Sequence, residues 1–180
     1  MKKEKINRSP LFYVGDKYKL IREIKMYFPA TINKFIEPFV GGGSVYLNVN
    51  AETYLLNDID SNVIDIHKFL CSFVEKENEF YELIFSIIQR YNLSCSYRND
   101  TVPIELKQRY KKTYYAHFNK ENFNQLKADY NQSKERDVAV LYVLLIYGFN
   151  RMLRFNNQGD YNLPVGNVDF NQNVFNALSD

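Results

Sequence analysis

Three consecutive glycines, Gly41, Gly42 and Gly43, lie in "FIEPFVGGGSVYLN" (residues 35–48), behind an acid, Glu37. A second acid, Asp58, follows 15 residues beyond Gly43. A glycine loop after a strand leaves backbone N–H groups free for a ligand, and the N-terminus of the next helix adds partial positive charge. A carboxylate closing the next strand can accept both hydroxyls of a ribose. The combination points to a nucleoside-type ligand. Each piece also has a plain structural reading. The glycines form only a turn, and Asp58 with Ser61 only starts a helix. The fingerprint G-x-G-x-x-G is incomplete, because Tyr46 stands at its third glycine. The loop has no Lys-Ser/Thr ending either, so it is not a P-loop. A nicotinamide-dependent enzyme is disfavoured on both this loop and the lack of a hydride-transfer constellation.

The elements that position these residues follow from apolar spacing. Residues 17–28 place Leu20, Ile21, Ile24 and Phe28 on one helical stripe that Pro29 stops. Residues 34–40 and 53–58 read as two buried strands, and 44–49 as a short helix. Residues 61–73 read as a helix with Ser61 at its N-cap. Strand, glycine loop, helix, strand, acid, helix is the opening of a doubly wound α/β sheet. A right-handed crossover puts the loop and the acid on the same sheet edge.

The character changes near residue 75. Residues 79–92, 104–118 and 137–152 read as helices, the last strongly apolar. Residues 154–167 read as a hairpin-like loop with a turn-rich centre. The expected organisation is residues 1–74 as the first part of a cofactor-binding α/β domain, 75–168 as a helical insertion with a protruding loop, and 169–180 as the return towards the sheet.

Composition narrows the class. The chain has 180 residues, 46% apolar, with 15 Tyr, 14 Phe and no Trp. Its net charge of +2 does not by itself point to nucleic acid. Across residues 90–120, however, seven Lys/Arg face two Asp/Glu, a local balance of +5. That stretch reads as a phosphate-holding surface or as a solvated helix face. Cys71 and Cys95 make no disulfide framework and read as reduced, partly buried thiols of a cytoplasmic protein. His67 and His117 have no metal spacing and read as surface or packing residues. No apolar run is long enough for a membrane span, and the charged start is not a signal peptide.

Four stretches in order carry a resemblance: "SPLFYVGDKYKL" (9–20), "FIEPFVGGGSVYLN" (35–48), "YLLNDIDSNVI" (54–64) and "YGFNRMLRFNNQGDYNLPVGN" (147–167). Together they resemble the Dam-type (D12 class) adenine-specific DNA methyltransferases. In that family an aromatic-x-Gly-x-Lys element precedes a D/E-P-F-x-G-x-G loop, and an acid follows the second strand. The resemblance implies a Rossmann-like S-adenosylmethionine-dependent methyltransferase sheet, incomplete here, with a helical target-recognition insertion. It implies S-adenosylmethionine as cofactor, contacted by Tyr13, Lys17, Glu37, Phe39, Gly41, Gly43 and Asp58. Asp16 departs from the pattern, which usually has a second Gly there. Without the resemblance, Lys17 reads as an exposed lysine at a helix start.

Double-stranded DNA is the implied partner, and base chemistry inside a duplex requires flipping the target out of the stack. By resemblance, Phe149 is the aromatic that stacks on or wedges between bases, and Asn150 is a polar contact beside it. Met152 and Pro164 match apolar contacts to a thymine methyl, and Arg154 matches a guanine reader. Without the resemblance, Phe149 reads as the core-facing end of the preceding helix, and Arg154 as a partner of Asp160. The family's lysine that reads the first base falls near Phe12, so GATC and other short adenine-containing sites both stay open as targets.

The family's D/N/S-P-P-Y/F motif holds the adenine amine towards the methyl sulfonium. This chain has five prolines and no two are adjacent. The expectation is therefore an N-terminal methyltransferase part from a restriction–modification type system, inactive alone and completed by a C-terminal chain. The rival expectation is a non-catalytic DNA-binding remnant.

Overall fold

A computed structural model describes residues 5–99 and 102–179. A single helical turn at Tyr18–Leu20 leads into α1 (Ile21–Lys25). Strand β1 (Lys34–Glu37) and strand β2 (Thr53–Leu56) follow, then α2 (Ser61–Cys71), α3 (Glu77–Arg90), α4 (Ile104–Tyr110), α5 (Tyr114–Gln132), α6 (Val138–Tyr147) and α7 (Gln172–Ser179). The result is a mixed helix–strand fold with a small parallel sheet. Lys34 faces Thr53 and Glu37 faces Leu56 in its register.

The core is organised by α6, whose sequence VAVLYVLLIY is apolar on every side. A helix without a polar stripe must be surrounded. Residues Leu141 to Tyr147 are all buried, and α2, α3 and α5 pack around them. The two buried tyrosines keep their hydroxyls partnered: Tyr142 donates to the Pro10 carbonyl at 3.1 Å and Tyr147 to the Ser94 carbonyl at 2.7 Å. Asp137 caps the helix by accepting from the Ala139 N–H at 2.7 Å. The expected boundary near residue 75 falls between α2 and α3. One continuous apolar core crosses it, with Phe80 of α3 against Phe69 and Phe73.

Several elements differ from expectation, each for a local reason. The stripe over 17–28 becomes a tight turn plus five residues of α-helix, and Tyr27 and Phe28 close with tighter bonds to Ile24 and Lys25. The helix expected over 44–49 is one turn, Tyr46–Asn48. Both strands are shorter than expected, because residues 38–43 leave the regular ladder as a loop and only isolated backbone bonds at Asn57 and Val40 carry the pairing further. Asp60, not Ser61, caps α2, accepting from the Asn62 N–H at 3.0 Å. The helix expected over 104–118 breaks at Lys111, whose φ of +33° no helix continues, and restarts as α5, which runs on to Gln132. The helix expected over 137–152 ends at Tyr147. The 154–167 hairpin is held by single antiparallel bridges, Phe155 with Tyr161 and Gly148 with Val165.

The sheet is thinly covered. Phe35 packs edge-on against Phe28 and Tyr54 on one face. On the other, Ile36 and its register partner Leu55 are 55% and 52% exposed. Among the described residues, no helix is long and apolar enough to cross a membrane.

Candidate functional site

The glycine loop is fixed from several directions. Strand pairing continues past β1 and β2, with Asn57 N–H to the Glu37 carbonyl at 2.9 Å and Val40 N–H to the Asn57 carbonyl at 2.9 Å. Asp58 then accepts the Gly41 N–H at 2.8 Å through Oδ2 and the Asp60 N–H at 3.1 Å through Oδ1. Asp58 therefore ties the loop to the end of β2, and it does not cap α2. From above, His67 of α2 bonds the Gly41 carbonyl at 2.8 Å through Nε2. A carbonyl only accepts, so Nε2 carries the proton and Nδ1 accepts from the Tyr46 hydroxyl at 3.2 Å. Burial holds the His67 pKa below its ordinary value, against the opposing Gly41 bond and the Asp58 charge. The fourth tie is Ser9, whose hydroxyl donates to the Gly42 carbonyl.

The chain's own side chains account for two of the three glycines. A Cβ on Gly43 would strike the Tyr46 ring and come within 2.9 Å of His67, and its φ is +79°. A Cβ on Gly42 would lie 2.9 Å from the Tyr13 Cβ. Gly41 has room but a φ of +46°, which side-chain-bearing residues rarely adopt. Tyr46, at the position of the third fingerprint glycine, thus fills the space above Gly43 with its ring.

The loop borders a cavity of about 320 Å³ at the carboxyl ends of the two strands. All seven residues expected at a cofactor site line it: Tyr13 and Lys17 from the N-terminal segment, Glu37 and Phe39 after β1, Gly41 and Gly43 in the loop, and Asp58 after β2. Lys17 is exposed, with Nζ donating to the Gly15 carbonyl at 2.8 Å. Phe39 is 83% exposed at the rim. Asp16 lines the cavity as well, and its carboxylate accepts the Tyr18 N–H at 3.0 Å. The charged lining is then three carboxylates and one ammonium. Burial pushes the Glu37 pKa up to about 7, although the carboxylate accepts the Tyr46 N–H at 3.2 Å. Tyr13 is also pushed up, first by burial and then by the Asp60 and Asp58 charges.

A second cavity, of about 480 Å³, opens between the N-terminal segment and the turn after α6. Of the five residues expected on DNA, Phe149 and Asn150 line it. Phe149 is 49% exposed, which overturns its reading as a core residue. Pro164 is exposed next to it and accepts the Phe149 N–H at 2.9 Å. Met152 is half-buried against the core. Arg154 is exposed and donates from Nε to the Asn162 side chain at 2.7 Å. The alternative pairing with Asp160 does not form, because Arg136 takes that carboxylate at 3.0 Å.

Three residues at these cavities were not singled out from the sequence. His67 looked like packing and proves to brace the loop carbonyl; its place on the apolar stripe of α2 with Val63 was the available signal. Arg8 and Arg151 both line the second cavity and both stack on Phe12, at 4.5 and 4.3 Å from the ring centroid. Nothing in local spacing announces a meeting of residues so far apart in the chain.

A glycine loop and carboxylates at the carboxyl ends of parallel strands is the arrangement of α/β domains that take nucleoside-containing ligands. Sequence comparison makes the class specific. The chain belongs to the D12 class N6 adenine-specific DNA methyltransferase family, which it matches over residues 13–178. It is 34% identical over 162 residues to the type II methyltransferase M.FokI of Planomicrobium okeanokoites, a match covering 88% of this chain and 21% of the relative. It is 29% identical over 177 residues to the modification methylase StsI of Streptococcus sanguinis, covering 97% and 23%. The DNA adenine methylase of Haemophilus influenzae is 32% identical over 165 residues, covering 91% and 49%. The chain thus spans between about a fifth and a half of the length of these curated relatives.

Proposed function

We propose that this chain is the cofactor- and DNA-binding part of a site-specific DNA adenine methyltransferase with a Rossmann-like catalytic sheet. Such an enzyme moves a methyl group from S-adenosylmethionine to the exocyclic amine of adenine in a short duplex site. The observation that carries the reading is the single cavity that gathers Tyr13, Lys17, Glu37, Phe39, Gly41, Gly43 and Asp58.

The cavity's residues fit that cofactor. Its excess of carboxylates suits a ligand bearing a sulfonium and an ammonium. Asp58 uses one backbone N–H per oxygen and keeps lone pairs for ribose hydroxyls. Phe39 offers a free ring face at the rim. When bound, S-adenosylmethionine supplies a methyl group on a positively charged sulfur. The protein's part is then positioning and electrostatics. Phe149, Asn150, Met152, Arg154 and Pro164 are the proposed DNA contacts, with Phe149 as the exposed aromatic beside the displaced base.

The adjacent prolines of the family's adenine-holding motif are not in these 180 residues. We place that motif on further polypeptide packed against the open face of β1 and β2, where Ile36 and Leu55 stand exposed. Parallel sheets ordinarily have both faces covered. The names of M.FokI and StsI support a restriction–modification setting. Two cysteines in no disulfide, Cys71 exposed and Cys95 buried, support a cytoplasmic one.

Calorimetric titration with S-adenosylmethionine tests the first half of the reading, and its failure would remove the cofactor assignment. Methyl transfer to duplex DNA tests the second. The expected result is no turnover by the chain alone and turnover once a segment carrying the motif is joined to it. Turnover by the 180 residues alone would refute this division of labour. The absent motif also supports a second reading, a DNA-binding remnant, which predicts DNA binding with no cofactor binding at all.

A further inference from the structure

Arg8 and Arg151 are both cations on one ring, and the arrangement asks for an anion. A single guanidinium over Phe12 is favourable. Two like charges held together repel. That repulsion adds to burial in lowering the Arg151 pKa. Among the described residues, neither arginine has a carboxylate at ion-pair distance. The acid that acts on Arg151 from further off is Asp169, whose oxygens are already engaged by the Ser96 N–H at 2.7 Å and hydroxyl at 2.9 Å. The Arg151 Nε is buried without a hydrogen-bond partner. The surrounding backbone is held in an uncommon form, with positive φ at Phe12 (49°), Asn150 (55°) and Arg151 (49°). Both arginines, Phe12, Phe149 and Asn150 line the same cavity.

We infer that Arg8 and Arg151, stacked on Phe12, form a clamp for one backbone phosphate of bound DNA beside Phe149. Two guanidinium forks suit the oxygens of one phosphodiester, and charge-assisted bonds of this kind are strong. A guanine edge would also accept hydrogen bonds, but it carries no charge and would leave the two cations unrelieved. The phosphate is therefore the better match. This inference rests on the proposed DNA binding and adds two residues to that surface.

The test is a fluorescence-anisotropy titration of the full chain with labelled duplexes of several sequences, over a salt series. Wild type is compared with Arg8→Gln, Arg151→Gln and the double variant. Each lost phosphate contact should flatten the slope of log affinity against log salt by about 0.9. Affinity should fall roughly tenfold per variant at low salt and by a similar factor on every duplex. Arg8 is exposed, so Arg8→Gln keeps the test available if Arg151→Gln fails to fold. Wild-type binding with an unchanged slope in Arg8→Gln would overturn the clamp and leave DNA binding standing. A loss confined to duplexes with one particular guanine would overturn the phosphate in favour of base reading. A wild-type chain that binds no duplex would overturn both the clamp and the DNA assignment beneath it.

Discussion

Glu37 should make cofactor binding depend on pH in a window where ordinary carboxylates are silent. Its pKa is pushed up to about 7 by burial, against a reference of 4.5. A ligand carrying a sulfonium and an ammonium favours the ionised carboxylate and pulls that pKa back down. With a free-state pKa near 7, about a tenth of the sites are ionised at about pH 6 and about nine-tenths at about pH 8. Affinity for S-adenosylmethionine should therefore rise about tenfold over that range, and binding at the lower pH should release about one proton. Calorimetry in buffers of different ionisation enthalpy reads both quantities. Glu37→Gln supplies the baseline, since any titration of the ligand itself persists in the variant. An affinity as flat as that of Glu37→Gln, or one that falls with pH in wild type alone, would refute the argument. The same shift has a stability consequence of opposite sense. The folded state holds the neutral acid longer than the unfolded state does. The Glu37 contribution is complete below about pH 4.5 and is lost as pH rises through about 7.

The other predictions follow from single contacts. Asp58→Ala should abolish measurable cofactor binding and lower stability by about 1–3 kcal/mol, since it leaves the Gly41 and Asp60 N–H groups unpartnered; duplex binding should survive it. Thermal melts and the two titrations separate these effects. Gly43→Ala should destabilise the chain more than Gly41→Ala, because the first adds a clash with Tyr46 and His67 to an unfavourable φ and the second adds only the φ. Paired chemical denaturation curves decide it. Phe149→Ala should change stability by no more than about 0.5 kcal/mol, as expected of an exposed side chain, while weakening duplex binding. Arg154→Ala should cost about 1–3 kcal/mol of discrimination at one base position and little affinity for duplexes altered there, measured by competition among single-substitution duplexes.

The grouping of the residues in the proposed cofactor cavity was legible in the sequence because its parts are local. Glu37, Phe39 and the glycines lie within seven residues of one another, and Asp58 follows after one short crossover. A parallel pair of strands then brings the two strand ends together without further information. Element ends were less legible, since adjacent residues compete for the same role. Asp60 and Ser61 are both good caps, and the structure chooses the aspartate. Lys111 gives no sign in its side chain that its backbone is left-handed. The exposure of Phe149 was hidden for a different reason. It follows a helix apolar on every side, so continuing the burial was the natural reading, but Gly148 ends the helix and the Pro164 carbonyl takes the Phe149 N–H.

What joins the two cavities is the N-terminal segment, and it does so with neighbouring residues. Phe12 lines the cavity beside Phe149, and Tyr13 lines the one beside the glycines. The positive φ at Phe12 is the local feature that accompanies this division. The segment is tied to both sides: Ser9 to the Gly42 carbonyl, and the Pro10 carbonyl to the buried Tyr142 hydroxyl of α6. Gly42 must lack a side chain because the Tyr13 Cβ occupies the space where one would go. The glycine loop is therefore shaped as much by this segment as by any ligand. The same strap that closes one wall of the proposed cofactor site presents the ring on which the two arginines converge.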